Sequence, residues 1–279
     1  MDLFSSAVTD TDKRKALRAG LDSGVLQRWP GSFSPLCSKL IEDIGFEGVY
    51  VSGAVLSADL GLPDIGLTTL TEVAARGGQI ARATNLPSLI DADTGFGEPM
   101  SAARTVAALE DAGLSGCHLE DQVNPKRCGH LDGKAVVETV EMVKRLRAAV
   151  SGRRDENFVI CARTDARAIE GLDAAIDRAK AYVDAGADLI FTEALADADE
   201  FAAAYGVIVP NLAKARLAQY VQTNQNACPQ GGTGGTYQTS ANAICDFTMS
   251  AAHTLVLGWM FSNQFAAGDT RVAFPGYNG

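Results

Sequence analysis

One pattern recurs along this chain and limits the folds that it can adopt: a helical stretch ends at a glycine, and a β-branched run follows it directly. The pattern occurs in residues 41–53, 109–122 and 182–194. A glycine just beyond a helix suits a left-handed C-cap, and an apolar β-branched run is typical of a buried parallel strand. Helix and strand alternating at this spacing predict parallel β/α units.

Other segments continue the same alternation. Further strands are predicted at residues 88–93, 158–164 and 206–212. Helices are predicted at residues 101–112, 136–150 and 172–185. The chain has 279 residues, and a (β/α)₈ barrel needs roughly 250, so we expect residues 1–279 to form a single domain of this α/β class.

Polar residues cluster at the carboxyl ends of the predicted strands. They fall at residues 50–53, 91–93, 118–121, 163–165 and 192–193. A barrel brings all these ends together on the face where catalysis occurs, whereas a doubly wound open sheet would line an edge crevice with them. Because no GxGxxG motif follows the first strand, a TIM-type (β/α)₈ barrel is favoured over a dinucleotide-binding sheet.

The composition excludes several classes of partner. A formal net charge of −10 disfavours nucleic acid and anionic membranes, because both attract basic surfaces. The six cysteines include no CxxC pair, so a zinc site is not supported. The first 17 residues lack an apolar signal core, and no apolar run reaches membrane-spanning length. These features predict a cytoplasmic protein that acts on a small molecule.

Two aspartates stand two residues apart at the end of a predicted strand. Asp91 and Asp93 lie in the segment LIDADTGFG, and the period of two in a strand points both side chains to the same side. Together with Glu120, at the end of the next strand, they form a set of hard oxygen donors that suits Mg²⁺. The alternative is that these aspartates cap a turn or a helix.

A short basic loop follows one of these strand ends. Cys128 is flanked there by Lys126, Arg127 and His130, and nearby cations lower the pKa of a thiol. Gly129 removes side-chain bulk beside the thiol. Such a thiol can exchange a proton with a carbanion or attack as a nucleophile. The alternative is a surface loop with an incidental cysteine.

Two charged residues admit both a functional and a structural interpretation. The guanidinium of Arg163 is suited to bind a substrate carboxylate through two hydrogen bonds, but it could instead form an ion pair with Glu193 or Asp165. Asp121 should point away from Glu120, which it follows directly. An internal salt bridge or a loop hydrogen bond suits Asp121 as well as a catalytic role does.

Five motifs occur in one order and at one spacing: SGA at residues 52–54, DADTGFG at 91–97, EDQ with PKRCGH at 120–130, ARTDAR at 162–167 and FTEA at 191–194. Together they resemble the isocitrate lyase/phosphoenolpyruvate mutase superfamily, and within it the 2-methylisocitrate lyases most closely. The resemblance covers residues 12–210. Its most specific part is KRCGH, because the lyase branch carries this cysteine and the mutases and phosphonate hydrolases replace it.

The resemblance implies a role for each group of residues. The implied ligands of Mg²⁺, or of Mn²⁺ in its place, are Asp91, Asp93 and Glu120. The implied substrate-binding residues are Ser52, Gly53, Ala54, Gly129, Arg163, Phe191 and Glu193. The implied catalytic residues are Tyr50, Lys126, Cys128 and His130. Cys128 and Gly129 would lie in a loop that closes over the site, and Phe191, in place of a tryptophan of isocitrate lyases, would leave room for an extra methyl group.

The implied activity is that of a carbon–carbon lyase, which cleaves the hydroxy-tricarboxylate 2-methylisocitrate to pyruvate and succinate in propionate catabolism by the 2-methylcitrate cycle. Mg²⁺ would chelate the substrate, Tyr50 would take the hydroxyl proton, and Cys128 would protonate the released carbanion. A lyase for isocitrate or dimethylmalate and an oxaloacetate hydrolase are alternatives within the superfamily. The resemblance also implies a homotetramer that exchanges its final helices between subunits.

The family pattern stops at Pro210. The chain continues with NLAKAR at residues 211–216, and residues 222–242 are rich in Gln, Asn, Gly and Thr, which is typical of loops or disorder. We therefore expect a family-like catalytic core over residues 1–210 and a divergent tail over residues 211–279, with the last barrel units atypical or incomplete. A reading-frame change near the Pro210 codon and an inactive pseudo-enzyme are two hypotheses for this departure, and either would weaken the expected tetramer.

Overall fold

The computed structural model describes residues 7–23, 25, 27–129, 133–197, 199–201 and 203–204. Within these ranges, helices and strands alternate as predicted. The helices are α1 (Asp10–Ser23), α2 (Pro35–Ile44), α3 (Gly53–Asp59), α4 (Leu70–Arg82), α5 (Pro99–Asp111), α6 (Thr139–Gly152), α7 (Arg167–Glu170) and α8 (Leu172–Asp184). The strands are β1 (Gly31–Ser32), β2 (Val49–Val51), β3 (Ser88–Asp91), β4 (Gly116–Glu120), β5 (Val159–Thr164) and β6 (Leu189–Thr192).

These strands form one parallel sheet, in which each strand lies beside the next one along the chain. Parallel neighbours in sequence order need a crossover connection each time, which is the winding of a β/α barrel. The register pairs Asp91 with His118. It also pairs Glu120 with Arg163 and Arg163 with Phe191. The polar residues of four neighbouring strands are therefore brought to one end of the sheet.

The glycines that follow the repeated helices adopt the predicted left-handed conformation. Their φ angles are 89° at Gly45, 87° at Gly113 and 103° at Gly186. At the first of them, the N–H of Gly45 donates to the carbonyl oxygen of Glu42 at 3.0 Å, which closes α2 shortly before β2 begins. The pattern that predicts parallel β/α units from the sequence is thus confirmed.

Both faces of the sheet are buried. One face packs against the surrounding helices, for example through Leu119 of β4 against a cluster that includes Leu109 and Met142. The other face carries Tyr50, Leu89, Val159, Cys161, Leu189 and Phe191. Burial on both sides is what a parallel sheet with helical crossovers requires. The alternation along β2 and β6 therefore places Tyr50 and Phe191 on the second face.

The first helix lies across the amino ends of the strands. Arg14 donates to the carbonyl oxygens of Leu114 at 2.9 Å and of Glu110 at 2.7 Å. Arg18 donates to the carbonyl oxygen of Phe158 at 3.1 Å. These contacts join α1 to the segments that lead into β4 and β5, and they cover the end of the sheet opposite the polar strand ends.

Several sequence predictions are corrected or lie outside the described residues. The strand predicted at residues 88–93 ends at Asp91, because Asp93 has a φ of 46° and leaves the extended region. The strand predicted at residues 206–212, the divergent tail and the final barrel units fall outside the described ranges. Within those ranges, no helix combines the length and apolarity that a membrane span needs.

Candidate active site

Three buried carboxylates lie at the carboxyl ends of neighbouring strands. Asp91 ends β3, Asp93 follows two residues later, and Glu120 ends β4. The N–H of Asp93 donates to Oδ1 of Asp91 at 2.9 Å, so Asp91 does cap a turn, which is the structural alternative raised by the sequence. Neither carboxylate oxygen of Glu120 has a hydrogen-bond partner within the described part of the chain. A buried carboxylate in this state is a candidate for ligand binding.

The three carboxylates differ in acidity. Burial raises the pKa of Glu120 well above its usual range. Burial and the neighbouring charge of Asp91 raise the pKa of Asp93 to about 6. Burial also opposes ionisation of Asp91, but the coulombic interaction with His118 and the positive charge of Lys126 outweigh it, and the pKa of Asp91 falls to about 2. A divalent cation among these groups would favour the ionised form of all three.

The donor chemistry fits magnesium. Among the described residues, no three His, Cys, Asp or Glu side chains are grouped so that they could hold a metal ion. The set of Asp91, Asp93 and Glu120 is therefore not assembled as three direct ligands, and its role stays a prediction. Mg²⁺ needs only one or two carboxylates, because water and substrate oxygens complete its octahedron. The buried oxygens of Glu120 that lack hydrogen bonds fit such a site.

Lys126 places a positive charge among these carboxylates. Its Nζ lies 2.8 Å from Oδ1 of Asp93 and also contacts the carboxylate of Asp64. Burial opposes the charge of Lys126, but the surrounding carboxylates outweigh burial and raise its pKa. The sequence predicts that this ammonium tunes the thiol of Cys128. The described ion pairs of Lys126 are with carboxylates, and its effect on the thiol stays a prediction.

The loop that carries Cys128 lies at the same strand ends. The N–H of Cys128 donates to the carbonyl oxygen of Asp64 at 3.2 Å. A Cβ atom at Gly129 would lie 2.5 Å from Nη2 of Arg163 and 2.5 Å from Cδ of Glu193. Gly129 therefore touches the ion pair between these two residues, and a side chain at this position would displace it. The structure brings the thiol loop and the carboxylate cluster to one end of the molecule.

Arg163 is held on several sides by carboxylates. Its Nε and Nη2 each donate to Asp165 at 3.0 Å. Nη2 lies 3.3 Å from Glu193, and Nε lies 3.4 Å from Glu120. The guanidinium also lies over the ring of Phe191, 5.2 Å from its centroid. The ion-pair alternative is thus observed with both partners named from the sequence, and substrate binding by Arg163 stays a prediction.

Tyr50 pairs with a buried histidine that sequence reasoning did not select. The hydroxyl of Tyr50 lies 2.8 Å from Nε2 of His118, and the two rings are stacked. The same nitrogen lies 3.6 Å from Oδ1 of Asp91. Burial raises the pKa of Tyr50 and lowers the pKa of His118 to about 4. The imidazole is therefore neutral at pH 7, and it fixes the position of the phenol.

The first turn of α3 faces the same carboxylates. Ser52 is the N-cap, and Gly53 and Ala54 begin the helix. A Cβ atom at Gly53 would lie 2.5 Å from Oδ2 of Asp91, so the backbone approaches this carboxylate closely. Ser52 is buried, whereas Gly53 and Ala54 are half-buried. The structure therefore places the predicted keto-acid contacts beside the predicted metal ligand.

Asp121 has a structural role. Its carboxylate accepts hydrogen bonds from the hydroxyl of Thr164 at 2.7 Å and the hydroxyl of Tyr182 at 2.8 Å. It also accepts one from the N–H of Asp165 at 2.9 Å. The internal hydrogen bonding predicted as an alternative is thus observed. The network fixes Asp165, and Asp165 in turn fixes Arg163.

Three further residues belong to this cluster, although the sequence analysis gave them no role: Asp64, His118 and Lys134. His118 stands two positions before Glu120. The strand period of two could therefore have found it. Loops carry no such periodicity, so the positions of Asp64 and Lys134 could not be predicted. His130, predicted as catalytic, lies outside the described residues.

Comparison with known proteins agrees with the motifs. The sequence model of phosphoenolpyruvate phosphomutase matches residues 17–225, well over half of the chain. The chain belongs to the phosphoenolpyruvate phosphomutase family. The resemblance carried by the five motifs, to the superfamily of isocitrate lyases and phosphoenolpyruvate mutases, is therefore confirmed.

Curated relatives of this family member carry the names of lyases. A probable 2-methylisocitrate lyase 2 from Corynebacterium glutamicum is 70% identical over 214 residues, which cover 76% of this chain and 69% of the relative. A 2-methylisocitrate lyase from Shewanella oneidensis is 51% identical over 172 residues, which cover 61% of this chain and 59% of the relative.

Solved structures of the phosphoenolpyruvate phosphomutase/isocitrate lyase superfamily share the fold. An oxaloacetate acetylhydrolase with the inhibitor 3,3-difluorooxalacetate has a TM-score of 0.69 and 29% identity, over 88% of this chain and 96% of that one. A phosphonopyruvate hydrolase in complex with oxalate and Mg²⁺ has a TM-score of 0.64 and 26% identity, over 87% of this chain and 98% of that one. These neighbours are TIM-barrel enzymes, and the predicted fold class is confirmed.

Proposed function

We propose that this protein is a Mg²⁺-dependent carbon–carbon lyase that cleaves 2-methylisocitrate to pyruvate and succinate. The observation that carries the proposal is the packing of Gly129, beside Cys128, against Arg163 and Glu193 at the strand ends where the buried carboxylates lie. This packing supports a role for the neighbouring thiol as proton donor beside the residues proposed to bind the anion and the metal. Curated relatives at 45–70% identity, named as 2-methylisocitrate lyases, support the same activity.

Asp91 and Asp93 would hold the metal ion, with Glu120 as a further ligand directly or through water. When bound, Mg²⁺ would supply Lewis-acid polarisation of the substrate's hydroxyl and adjacent carboxylate. Mn²⁺ suits the same oxygen donors and is the alternative ion. The complex of the related phosphonopyruvate hydrolase with oxalate and Mg²⁺ supports this choice of cofactor.

Tyr50 is the proposed base that takes the hydroxyl proton, and its contact with His118 supports this role. A phenol that passes its own proton to Nε2 of His118, 2.8 Å away, can accept the substrate's proton in the same step. The transfer requires a neutral imidazole with its hydrogen on Nδ1. The oxygen's electrons then form the carbonyl group of pyruvate as the carbon–carbon bond breaks.

Cys128 is the proposed acid that completes the reaction. The electrons of the broken bond remain on the succinate fragment, as a carbanion delocalised into the adjacent carboxylate, and Sγ of Cys128 supplies the proton. One positioned proton donor contributes about 10²–10⁴-fold to the rate. The hydrogen bond from the N–H of Cys128 to Asp64 helps to fix the loop. His130 is proposed as a further catalytic member of the same loop.

An acidic protein needs local positive charge to bind a trianionic hydroxy-tricarboxylate. Lys126 and Arg163 supply that charge inside the carboxylate cluster, and Glu193 orients Arg163. The backbone of residues 52–54 is proposed to contact the keto-acid half of the substrate. Phe191 is proposed to leave space for the substrate's methyl group, and one such group changes discrimination by about 1–3 kcal/mol.

The cellular setting is part of the proposal. The described cysteines Cys37, Cys117 and Cys161 are free thiols, which fits a reducing compartment such as the cytoplasm. The net charge of −10 fits a metabolic enzyme without a nucleic-acid or membrane partner. We also propose a homotetramer, as the family resemblance implies, and a role in propionate catabolism.

A coupled pyruvate assay with 2-methylisocitrate tests this function. We expect turnover that requires Mg²⁺ and is abolished by EDTA. Isocitrate, 2,3-dimethylmalate and oxaloacetate are assayed beside it for glyoxylate, pyruvate and oxalate. Faster turnover of one of these would assign the site to that reaction instead. A folded chain that turns over none of the four, and whose melting temperature does not respond to Mg²⁺, would show an inactive relative of the lyases.

A further inference from the structure

A lysine outside the proposed catalytic set joins the Cys128 loop to the end of β5. The side chain of Lys134 is 4% exposed, and its Nζ donates to the carbonyl oxygen of Gly129. The same Nζ lies 3.3 Å from Oδ1 of Asp165. Asp165 is the carboxylate that accepts hydrogen bonds from both Nε and Nη2 of Arg163. The ammonium of Lys134 thus links the peptide group next to Cys128 with Asp165, the carboxylate that binds Arg163.

We propose that Lys134 is a positioning residue, which holds the Cys128–Gly129 peptide at a fixed position relative to Arg163. The inference rests on the proposed function, because this position matters when a thiol must deliver a proton to a substrate held at Arg163. Proton transfer depends steeply on the distance between donor and acceptor, so a small displacement of the loop lowers the rate of the chemical step more than it weakens substrate binding.

Asp165, the carboxylate that Lys134 contacts, is held in place by several hydrogen bonds. Asp165 is fully buried, and its N–H donates to Asp121 at 2.9 Å. Its carboxylate accepts from Arg163 on two nitrogen atoms, and Lys134 approaches it from the loop side. A buried carboxylate held in this way cannot move without breaking several charged hydrogen bonds. Lys134 therefore ties the loop to a fixed point.

The loop is also held before it reaches Gly129. Oε1 of Gln122 accepts from the N–H of Arg127 at 2.9 Å, and Nε2 of Gln122 donates to the carbonyl oxygen of Arg127 at 2.8 Å. These bonds fix the backbone two residues before Gly129, and Lys134 fixes the carbonyl of Gly129 itself. The two contacts bracket Cys128.

Lys134→Met tests the proposal, because it removes the ammonium and keeps a side chain of similar length. The rate of alkylation of Cys128 by iodoacetamide is measured by peptide mass spectrometry on the full chain without substrate. We expect a roughly tenfold faster rate, the factor that corresponds to loss of one hydrogen bond to a charged group. Lys144→Met is the matched control, because Lys144 is exposed on α6 beside Glu141, and its rate should equal that of the wild type.

Steady-state kinetics separate positioning from binding. In the lyase assay, kcat of Lys134→Met should fall by about 10- to 100-fold with little change in KM. Lys134→Arg keeps a cation and should lie closer to the wild type in both measurements. An unchanged alkylation rate in folded Lys134→Met, or an equal rise in Lys144→Met, would overturn the assignment.

The proposed function and the positioning role of Lys134 can be rejected independently of each other. A wild-type protein without lyase activity would reject the proposed function, whereas a faster alkylation of Cys128 in Lys134→Met would still support the positioning role. Circular dichroism and thermal melting establish that each variant is folded. If Lys134→Met does not fold, Lys134→Gln is measured by the same criteria. Loss of the fold in both would overturn the positioning role, because Lys134 would then be a determinant of overall stability.

Discussion

The two ends of the sheet use charged residues in opposite ways. At the amino ends, each charge is matched by several partners. Arg14 donates to two carbonyl oxygens and to Asp155 at 3.0 Å. Asp188 accepts from Arg18 at 2.7 Å and from Arg153 at 2.6 Å. Such groups stabilise the fold, because each buried charge is compensated.

At the carboxyl ends, the charges are crowded and incompletely matched. Glu120 is fully buried, and neither of its oxygens has a hydrogen-bond partner among the described residues. The carboxylates of Asp91 and Asp93 are neighbours, and burial together with this repulsion raises the pKa of Asp93 to about 6. Unsatisfied buried groups cost stability and are retained where they serve function. The comparison supports the proposal that one end stabilises the barrel and the other end binds ligand.

The largest expected effect belongs to the thiol at the carboxyl end. Cys128→Ser should lower kcat by about 10²–10⁴-fold, because a hydroxyl is a far weaker acid than a thiol. The melting temperature should not change. Cys37→Ser, on α2 with its Sγ 3.7 Å from the carbonyl oxygen of Gly31, is the control and should keep full activity. Near-normal cleavage by Cys128→Ser would remove the acid role from this residue.

The second prediction concerns the close approach of the loop. Gly129→Ala places a Cβ atom 2.5 Å from Arg163 and Glu193, so the loop must move away from the strand ends. We expect kcat/KM to fall by about 10²-fold, the cost of a misplacement of about 1 Å. Gly20→Ala is the control, because its Cβ would meet only the flexible side chain of Gln27. Equal activities of the two variants would contradict the packing described here.

The third prediction addresses the amino end, where stability should change and catalysis should not. Arg14→Met removes three hydrogen bonds from a nearly buried guanidinium and takes one donor from each of two carbonyl oxygens. We expect a loss of about 2–3 kcal/mol in the free energy of unfolding. This corresponds to a fall of roughly 5–10 °C in melting temperature. Lys180→Met, in the exposed ion pair with Asp177, should leave the melting temperature unchanged.

The activity of the remaining folded Arg14→Met at 25 °C should match the wild type. A fall in kcat without a fall in melting temperature would break the proposed division between the two ends. Urea unfolding and the pyruvate assay, carried out on the same preparation, provide both measurements.

The smallest expected effect is a gain in stability, and it concerns a substitution at the carboxyl end of the sheet. Glu120→Gln removes a buried ionisable group that lacks hydrogen bonds, so the protein in EDTA at neutral pH should become about 1 kcal/mol more stable while it loses activity. Burial raises the pKa of Glu120 in the folded state. The folded protein therefore keeps a proton on Glu120 that the unfolded chain releases. The resulting loss of stability is absent below the pKa of the unfolded chain, and it grows as the pH rises toward the folded pKa.

The stability gain of Glu120→Gln should accordingly be larger at pH 8 than at pH 4. Thermal melts of both proteins across this range, with EDTA present, measure the difference. A variant that is less stable than the wild type at pH 8 would show that Glu120 supports the fold through its contact with Arg163.

Much of this organisation could be predicted from the sequence, because it depends on local rules. Glycines 45, 113 and 186 mark the ends of helices, and the β-branched runs after them become parallel strands. The same alternation places the polar residues at one end of the sheet. The prediction for residues 88–93 was wrong in its last two positions, since the hydrogen bond from Asp93 to Asp91 forms a turn that a strand period cannot represent.

Contacts between distant segments could not be predicted. The bond between Tyr50 and His118 depends on the placement of β2, β3 and β4 within the sheet, and the direction of Lys126 depends on the path of a loop. Both are set by tertiary packing, for which a single sequence offers no period. The pairing of Arg163 with Asp165 could be predicted from the sequence, because residues two apart on a strand share a side.

The position of α1 has a consequence for the order of assembly. This helix precedes every strand in the chain, yet Arg14 reaches Asp155 and Arg18 reaches Asp188, 141 and 170 residues later. These two ion pairs cannot form until Asp155, before β5, and Asp188, before β6, are in place. Contacts of such long range slow folding. We therefore expect α1 to reach its final position only after the segments around residues 155 and 188 have been synthesised and folded.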